Sequence, residues 1–229
     1  MPSDTSPAGS PDPPARVLIV DDHPAVREGL GFRIARCPDL VVCGEAADVA
    51  EALDQAERAR PDVSVIDIAL GTGSGIDLIR RLRARDPSSR TLVWSMYPES
   101  LYAERALRAG AMGYITKQEA TGRIIEAIRR VHRGEIFLSD AAAGRLIRRV
   151  VGRGVEVPAS PTLEESLSDR ELEVLRQIGA GHTTAETARC LHLSVHTVDT
   201  YRQRIKAKLA LRNASELARV ATQWVLEHG

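Results

Sequence analysis

The chain predicts an α/β protein, a doubly wound parallel five-stranded sheet followed by a small all-helical domain. Three observations carry this. Short runs rich in β-branched residues, such as Val63-Ser64-Val65-Ile66, stay apolar or small throughout instead of alternating, as strands buried on both faces do. Each run is followed by roughly ten residues with apolar positions at helical spacing, the alternation of a βα fold. From Leu167 onward the strand signal stops, and only helix starts and stops remain.

Taken in order, residues 1–15 are Pro, Ser, Asp and Gly with little apolar content, and a disordered N-terminal tail is expected. Arg16-Val17-Leu18-Ile19-Val20 is the first strand and ends in Asp21-Asp22. After His23-Pro24 comes a helix with Val26, Leu30 and Ile34 at four-residue spacing, stopping near Cys37-Pro38. Leu40 to Cys43 is a second strand, and Val49 to Ala59 a second helix with Ala52, Leu53 and Ala56 inward. The third strand, Val63 to Ile66, ends in Asp67; a Gly-rich loop, Gly71-Thr72-Gly73-Ser74-Gly75, leads to a helix over Ile76–Arg85. Thr91 to Trp94 is a fourth strand ending in Ser95, and Leu101 to Ala109 a helix closed by Gly110. Gly113 to Thr116 is a fifth strand ending in Lys117, and Thr121 to Arg133 a helix with Ile124, Ile125, Ile128 and Val131 on one face. This first domain is assigned to residues 16–138.

Residues 139–166 read as a linker with a short helix, capped by Ser139 and running from Asp140 to about Val151. The second domain, residues 167–229, opens on a capping box at Ser168 to Glu171, ahead of Leu172, Val174, Leu175 and Ile178. A second box at Thr183 to Glu186 opens a helix to about Leu191, and Ser194 caps a third helix, Val195–Leu209. A last helix, starting at Asn213 or Ser215, carries Leu217, Val220, Ala221, Trp224 and Val225 as its apolar stripe.

Composition narrows the class. Lys plus Arg and Asp plus Glu both total 31, so net charge selects no partner and its distribution matters more. Aromatic residues are 3% of the chain, so the core must be aliphatic. Cys37, Cys43 and Cys190 have no C-x-x-C spacing and read as reduced thiols in a cytoplasmic protein. No apolar run of ~18 residues and no signal-peptide pattern is present, so a soluble protein is expected.

Ligands of open α/β sheets bind outside the carboxyl ends of the strands. There the sequence puts Asp21 and Asp22, Asp67, Ser95 and Lys117. Carboxylates that close repel unless a cation or proton relieves them. All-oxygen donors suit a hard divalent ion such as Mg²⁺. With the metal and Lys117 as positive centres, Asp67 would be the nucleophile toward a phosphoryl group and Ser95 a donor to its oxygens.

The first ~135 residues resemble the receiver domain of bacterial two-component response regulators, a flavodoxin-like fold. Val20-Asp21-Asp22-His23-Pro24, Val65-Ile66-Asp67-Ile68, Leu92-Val93-Trp94-Ser95-Met96 and Gly113-Tyr114-Ile115-Thr116-Lys117 carry the resemblance. It implies that a sensor histidine kinase phosphorylates Asp67, and that Asp21, Asp22, Asp67 and the main-chain carbonyl of Ala69 hold Mg²⁺. It also implies that Ser95 moves to the phosphoryl group and Tyr114 follows into the space left. One departure is Gly71, where receivers usually carry Pro; a more mobile loop is expected.

Leu167 to Leu175 and Ser194 to Tyr201 resemble the LuxR-type helix-turn-helix, which places the whole chain in the NarL/FixJ class of response regulators. The helix following the tight His192-Leu193 turn would enter the major groove of double-stranded DNA, and its basic residues suit phosphates. The resemblance assigns Asp199, Thr200 and Gln203 to base edges, and Thr197, Arg202 and Lys206 to the backbone. Asp199 departs from the Lys common in relatives, and Thr187 from an aliphatic residue. The reading is a phosphorylation-controlled transcription factor acting as a dimer and touching no membrane. One rival is a phosphorylation-independent regulator whose receiver answers a ligand or partner. The other is an aspartyl-phosphate phosphohydrolase, disfavoured because those enzymes carry Asp-x-Asp with the nucleophile on the first strand.

Overall fold

Strand side chains alternate between faces, and this alternation builds the first domain. The computed structural model describes residues 13–71, 73–119, 122–152 and 163–228. Residues 1–12 of the expected tail and 153–162 of the expected linker lie outside them. The sheet comprises β1 (Ala15–Val20), β2 (Leu40–Ala46), β3 (Val63–Ile66), β6 (Thr91–Ser95) and β7 (Gly113–Thr116), ordered β2-β1-β3-β6-β7 and parallel throughout. A two-residue hairpin, β4 (Ala69–Leu70) against β5 (Gly73–Ser74), lies in the loop after β3.

Val17, Ile19, Val63, Val65, Leu92 and Ile115 face α1 (Pro24–Ile34) and α5 (Arg123–His132), which contribute Leu30, Ile34, Ile124, Ile128 and Val131. Leu18, Val20, Ile66 and Val93 face the other way, toward α2 (Val49–Ala59), α3 (Gly75–Arg85) and α4 (Glu99–Ala109). The strand order reverses between β1 and β3, so Asp21 and Asp67 meet at the switch point where such sheets bind ligands.

The helical part continues with α6 (Asp140–Gly152), α7 (Leu163–Ser166), α8 (Asp169–Gly179), α9 (Thr184–Cys190), α10 (Val195–Lys208) and α11 (Ala214–His228). Helix α7 falls where only linker was expected. Both capping boxes form: Ser168 with Glu171, and Thr183 with Glu186. Ser139 Oγ accepts from the Ala142 amide at 3.1 Å, and Asn213, not Ser215, caps α11, accepting from the Glu216 amide at 2.9 Å. Among the described residues no helix is long and apolar enough to cross a membrane.

The two domains share one apolar cluster, which runs from Tyr97, Leu101 and Tyr102 of the first into Leu167, Leu172 and Leu175 of the second.

Candidate functional site

Each strand delivers its polar terminus to the same edge. Asp21 and Asp67 are 2% and 4% exposed, so both carboxylates are almost wholly removed from water. The cation that relieves them is Lys117: its Nζ lies 2.5 Å from Asp21 Oδ2 and 2.5 Å from Asp67 Oδ2. Asp67 Oδ1 accepts from Ser95 Oγ at 2.6 Å and from the Ala69 amide at 3.3 Å. Asp21 Oδ1 accepts from the His23 amide at 2.9 Å.

Burial pushes the Asp67 carboxyl above the ordinary carboxylate range; Asp21 adds to this, and Lys117 and Ser95 only partly offset it. Burial alone would lower the Lys117 ammonium, yet Asp67 and Asp21 more than compensate and hold it above the usual lysine value. Lys117 is thus favoured as a cation, while burial disfavours the charged form of Asp67.

Asp22 completes the acidic group beside Asp21 and His23. Its Oδ1 lies 2.7 Å from His23 Nδ1, but the contact is not aligned as a hydrogen bond and that buried oxygen has no other partner. An oxygen donor set with one buried unpartnered atom fits a hard divalent cation. Ala69 sits in β4, two residues beyond Asp67.

The Ser95 hydroxyl bonds Asp67 directly, and Tyr114 is buried at 1% exposure, its hydroxyl donating to the Tyr97 carbonyl at 2.9 Å. The Gly-rich loop is also not free: Arg170 of α8 donates to the carbonyls of Leu70 and Gly73. Gly75 is required there, because a Cβ would lie 2.0 Å from the Asp67 carbonyl oxygen.

In the helical domain, Val198 and Ile205 of α10 are fully buried, while Asp199 and Gln203, one turn apart, are exposed. Thr197, Thr200, Arg202 and Lys206 are partly exposed. Two of the expected contacts also serve the helix itself: Thr197 meets the Ser194 cap (Oγ1 to Oγ, 2.8 Å), and Thr200 Oγ1 donates to the His196 carbonyl at 3.0 Å. Thr187 is wholly buried and its hydroxyl has no partner.

Sequence reading missed a third group, on α8. Arg170 pairs with Glu173 (Nη1 to Oε2, 2.5 Å), Asp169 pairs with Arg105 of α4, and the Arg176 guanidinium lies 4.8 Å from the Tyr97 ring centre. Burial pushes the Glu173 carboxyl up to about 7, with Arg170 opposing. The spacing of 170, 173 and 176 marks one helix face, but not what covers it.

The chain matches the response regulator receiver domain over residues 17–129 and the bacterial regulatory proteins, luxR family, over residues 165–221. It is 35% identical over 208 residues to the DNA-binding transcriptional activator DevR/DosR of Mycobacterium tuberculosis, covering 91% of this chain and 94% of that protein. It is 32% identical over 209 residues to the oxygen regulatory protein NreC of Staphylococcus epidermidis, covering 90% and 96%. The fold is shared with RcsB from Salmonella enterica bound to promoter rprA in the presence of phosphomimetic BeF3- (TM-score 0.57, 23% identity, 91% of this chain and 98% of that one). With a receiver sheet ending in an Asp–Asp–Lys cluster and a capped helix-turn-helix behind it, the chain belongs to the NarL/FixJ-type two-component response regulators, DNA-binding transcription regulators and not enzymes.

Proposed function

We propose that Asp67 is the phosphoryl acceptor through which a sensor histidine kinase controls this regulator. The observation that carries this reading is Lys117 Nζ, 2.5 Å from both Asp21 and Asp67, with Ser95 Oγ 2.6 Å from Asp67. A buried carboxylate next to a fixed cation and a hydroxyl donor is equipped to attack phosphorus and to stabilise the charge that develops. One Asp67 oxygen bonds to phosphorus as the donor's P–N bond breaks, and the leaving nitrogen takes the electron pair and a proton. Lys117 neutralises the transferred oxygens, and Ser95 turns its hydroxyl from the carboxylate to one of them. Asp21, Asp22, Asp67 and the Ala69 carbonyl would hold Mg²⁺, which when bound supplies further charge neutralisation at the phosphoryl group.

On DNA, Asp199, Thr200 and Gln203 read base edges, while Thr197, Arg202 and Lys206 hold phosphates. A carboxylate at 199 cannot bind phosphate but accepts from a cytosine amino group. Phosphorylation favours a homodimer, because two linked helix-turn-helix modules gain effective concentration over two half-sites.

The test is affinity for selected genomic DNA fragments, with and without phosphoramidate plus Mg²⁺, for wild type and Asp67→Asn. Tightening only in the wild type is expected. Equal affinity of both proteins in every condition would refute the phosphoswitch and leave regulation to a ligand or partner.

A further inference from the structure

Asp67 and its neighbours lie at the carboxyl ends of the strands; a second concavity lies near their amino ends. Leu53 and Ala56 of α2, Leu82 and Arg85 of α3, Ser64 of β3 and the loop leading into β6 enclose about 940 Å³. That is the size of a small-molecule site. Ser64 precedes Asp67 by three residues, which at the rise of a strand puts the two sites about 10 Å apart.

The cleft arises from a change of residue type along one face of the sheet. Toward α2, α3 and α4 the inner positions are Leu18, Val20, Ile66 and Val93. At the amino end the same face carries two hydroxyls instead, Ser64 and Thr91, paired in register and 4% and 1% exposed. A Leu or Ile would fill the space between α2 and α3 that Ser64 leaves to the cleft. Thr91 Oγ1 is buried and has no hydrogen-bond partner among the described residues, and neither has Ser89 Oγ on the lining loop. Native proteins leave few buried polar groups in that condition. Leu53 and Leu82, each 5% exposed, give the same cleft an apolar floor.

Its rim carries both signs of charge, Arg60, Arg85 and Arg90 against Glu57, Asp62 and Asp86, so it does not attract anions in general. Most of these groups are engaged. Asp62 accepts from the Arg16 amide at 2.7 Å and Asp86 from the Ser88 amide at 2.9 Å, while Arg90 donates to the His132 carbonyl. Arg85 stands 3.8 Å from Glu57, beyond hydrogen-bond reach. The Arg60 side chain has no partner among the described residues. Arg60 also holds the left-handed cap of α2, at φ 45°. Gly closes a helix there with less strain, so what Arg brings to the position is its cation.

We propose that this cleft binds a nucleoside monophosphate, making the receiver a metabolite-binding domain at the end of the sheet opposite Asp67. Arg60 and Arg85 suit a phosphate, which guanidinium groups grip through two parallel hydrogen bonds. The apolar floor suits the face of a base, and hydroxyls and carboxylates between them suit a ribose. An inorganic anion would make no use of the floor, and an apolar ligand none of the arginines. The site does not depend on the reading of Asp67.

The test is isothermal titration calorimetry of the full chain in EDTA with AMP, GMP, CMP and UMP, and with ribose 5-phosphate and inorganic phosphate alongside. At least one nucleotide is expected to bind, one per chain, with Kd below about 100 μM. It should bind at least about tenfold more tightly than ribose 5-phosphate, which lacks the base. Arg60→Gly and Arg85→Gln should each weaken it about tenfold, the loss of one charged hydrogen-bond donor. Arg60→Gly should be at least as stable as wild type to urea, because Gly relaxes the cap; were it less stable, Arg85→Gln, at an exposed side chain, decides. No binding of any nucleotide up to about 1 mM, ribose 5-phosphate or inorganic phosphate binding as tightly as the best nucleotide, or full affinity in both arginine variants would overturn the site. So would affinity that survives those variants and disappears in Asp67→Asn, which would put the nucleotide at the acceptor edge.

Discussion

Glu173→Gln tests the energetics of the docked helix most directly. Glu173 is fully buried, and its Oε1 has no hydrogen-bond partner. Arg170 faces it at 2.5 Å, Asp169 and Asp67 add negative charge, and Tyr97, Tyr102 and Arg176 belong to the same group. A carboxyl held at about 7 in the folded protein, against 4.5 for an ordinary glutamate, binds its proton more tightly folded than unfolded. Its contribution is therefore fully present below pH 4.5, falls as pH rises, and is lost once pH passes about 7. At 1.36 kcal/mol per tenfold in acidity, the loss is about 3 kcal/mol. Gln has nearly the shape of the protonated acid and does not titrate. The variant should match wild type near pH 4.5 and exceed it by up to about 3 kcal/mol at pH 8, with the difference growing between those limits. Urea unfolding followed by Trp224 fluorescence, with Trp94→Phe in both proteins, isolates the helical domain. A variant no more stable than wild type at pH 8, with a difference constant from pH 5 to 8, would refute the buried-carboxyl reasoning.

Three further outcomes are expected. Gly75→Ala drives a Cβ to 2.0 Å from the Asp67 carbonyl oxygen and 2.8 Å from Ile68 Cα, backbone against backbone; receiver stability should drop by about 3 kcal/mol or more in urea titration. Thr187→Val replaces a buried, unpartnered hydroxyl with a methyl of the same size, and thermal unfolding should show the helical domain stabilised by roughly 1–2 kcal/mol. Arg202→Ala should weaken DNA binding about equally on all sequences and lower the slope of log affinity against log salt by about 1, whereas Asp199→Ala should alter sequence preference with the slope unchanged.

Much of this protein was legible without coordinates. β-Branched runs that stay apolar must be buried on both faces, and their order with the intervening helices settles the parallel sheet and its right-handed crossovers. Once that topology is drawn, Asp21, Asp67, Ser95 and Lys117 fall on one edge, because Ser95 is the last residue of its strand and each of the others follows the last residue of its own; Lys117 bridging two carboxylates is the result. Caps at Ser168, Thr183 and Ser194 were equally readable, since an N-cap bond closes within three residues.

Other features depended on contacts between residues far apart in the chain. The glycines after Leu70 signalled a loose loop, but Arg170, 100 residues from Leu70 in sequence, ties that loop to another domain. That the Ser95 hydroxyl bonds Asp67 directly depends on how β3 and β6 align their ends, which no local pattern states. The pattern of α8 does not set Glu173 apart from a surface charge, yet it is fully buried, within electrostatic reach of Tyr97 and Tyr102, before and on a helix of the other domain. Periodicity states which face of a helix is apolar or charged, and local hydrogen bonds state where it begins. Neither contains the partner that covers it, and here that partner lies in the other domain.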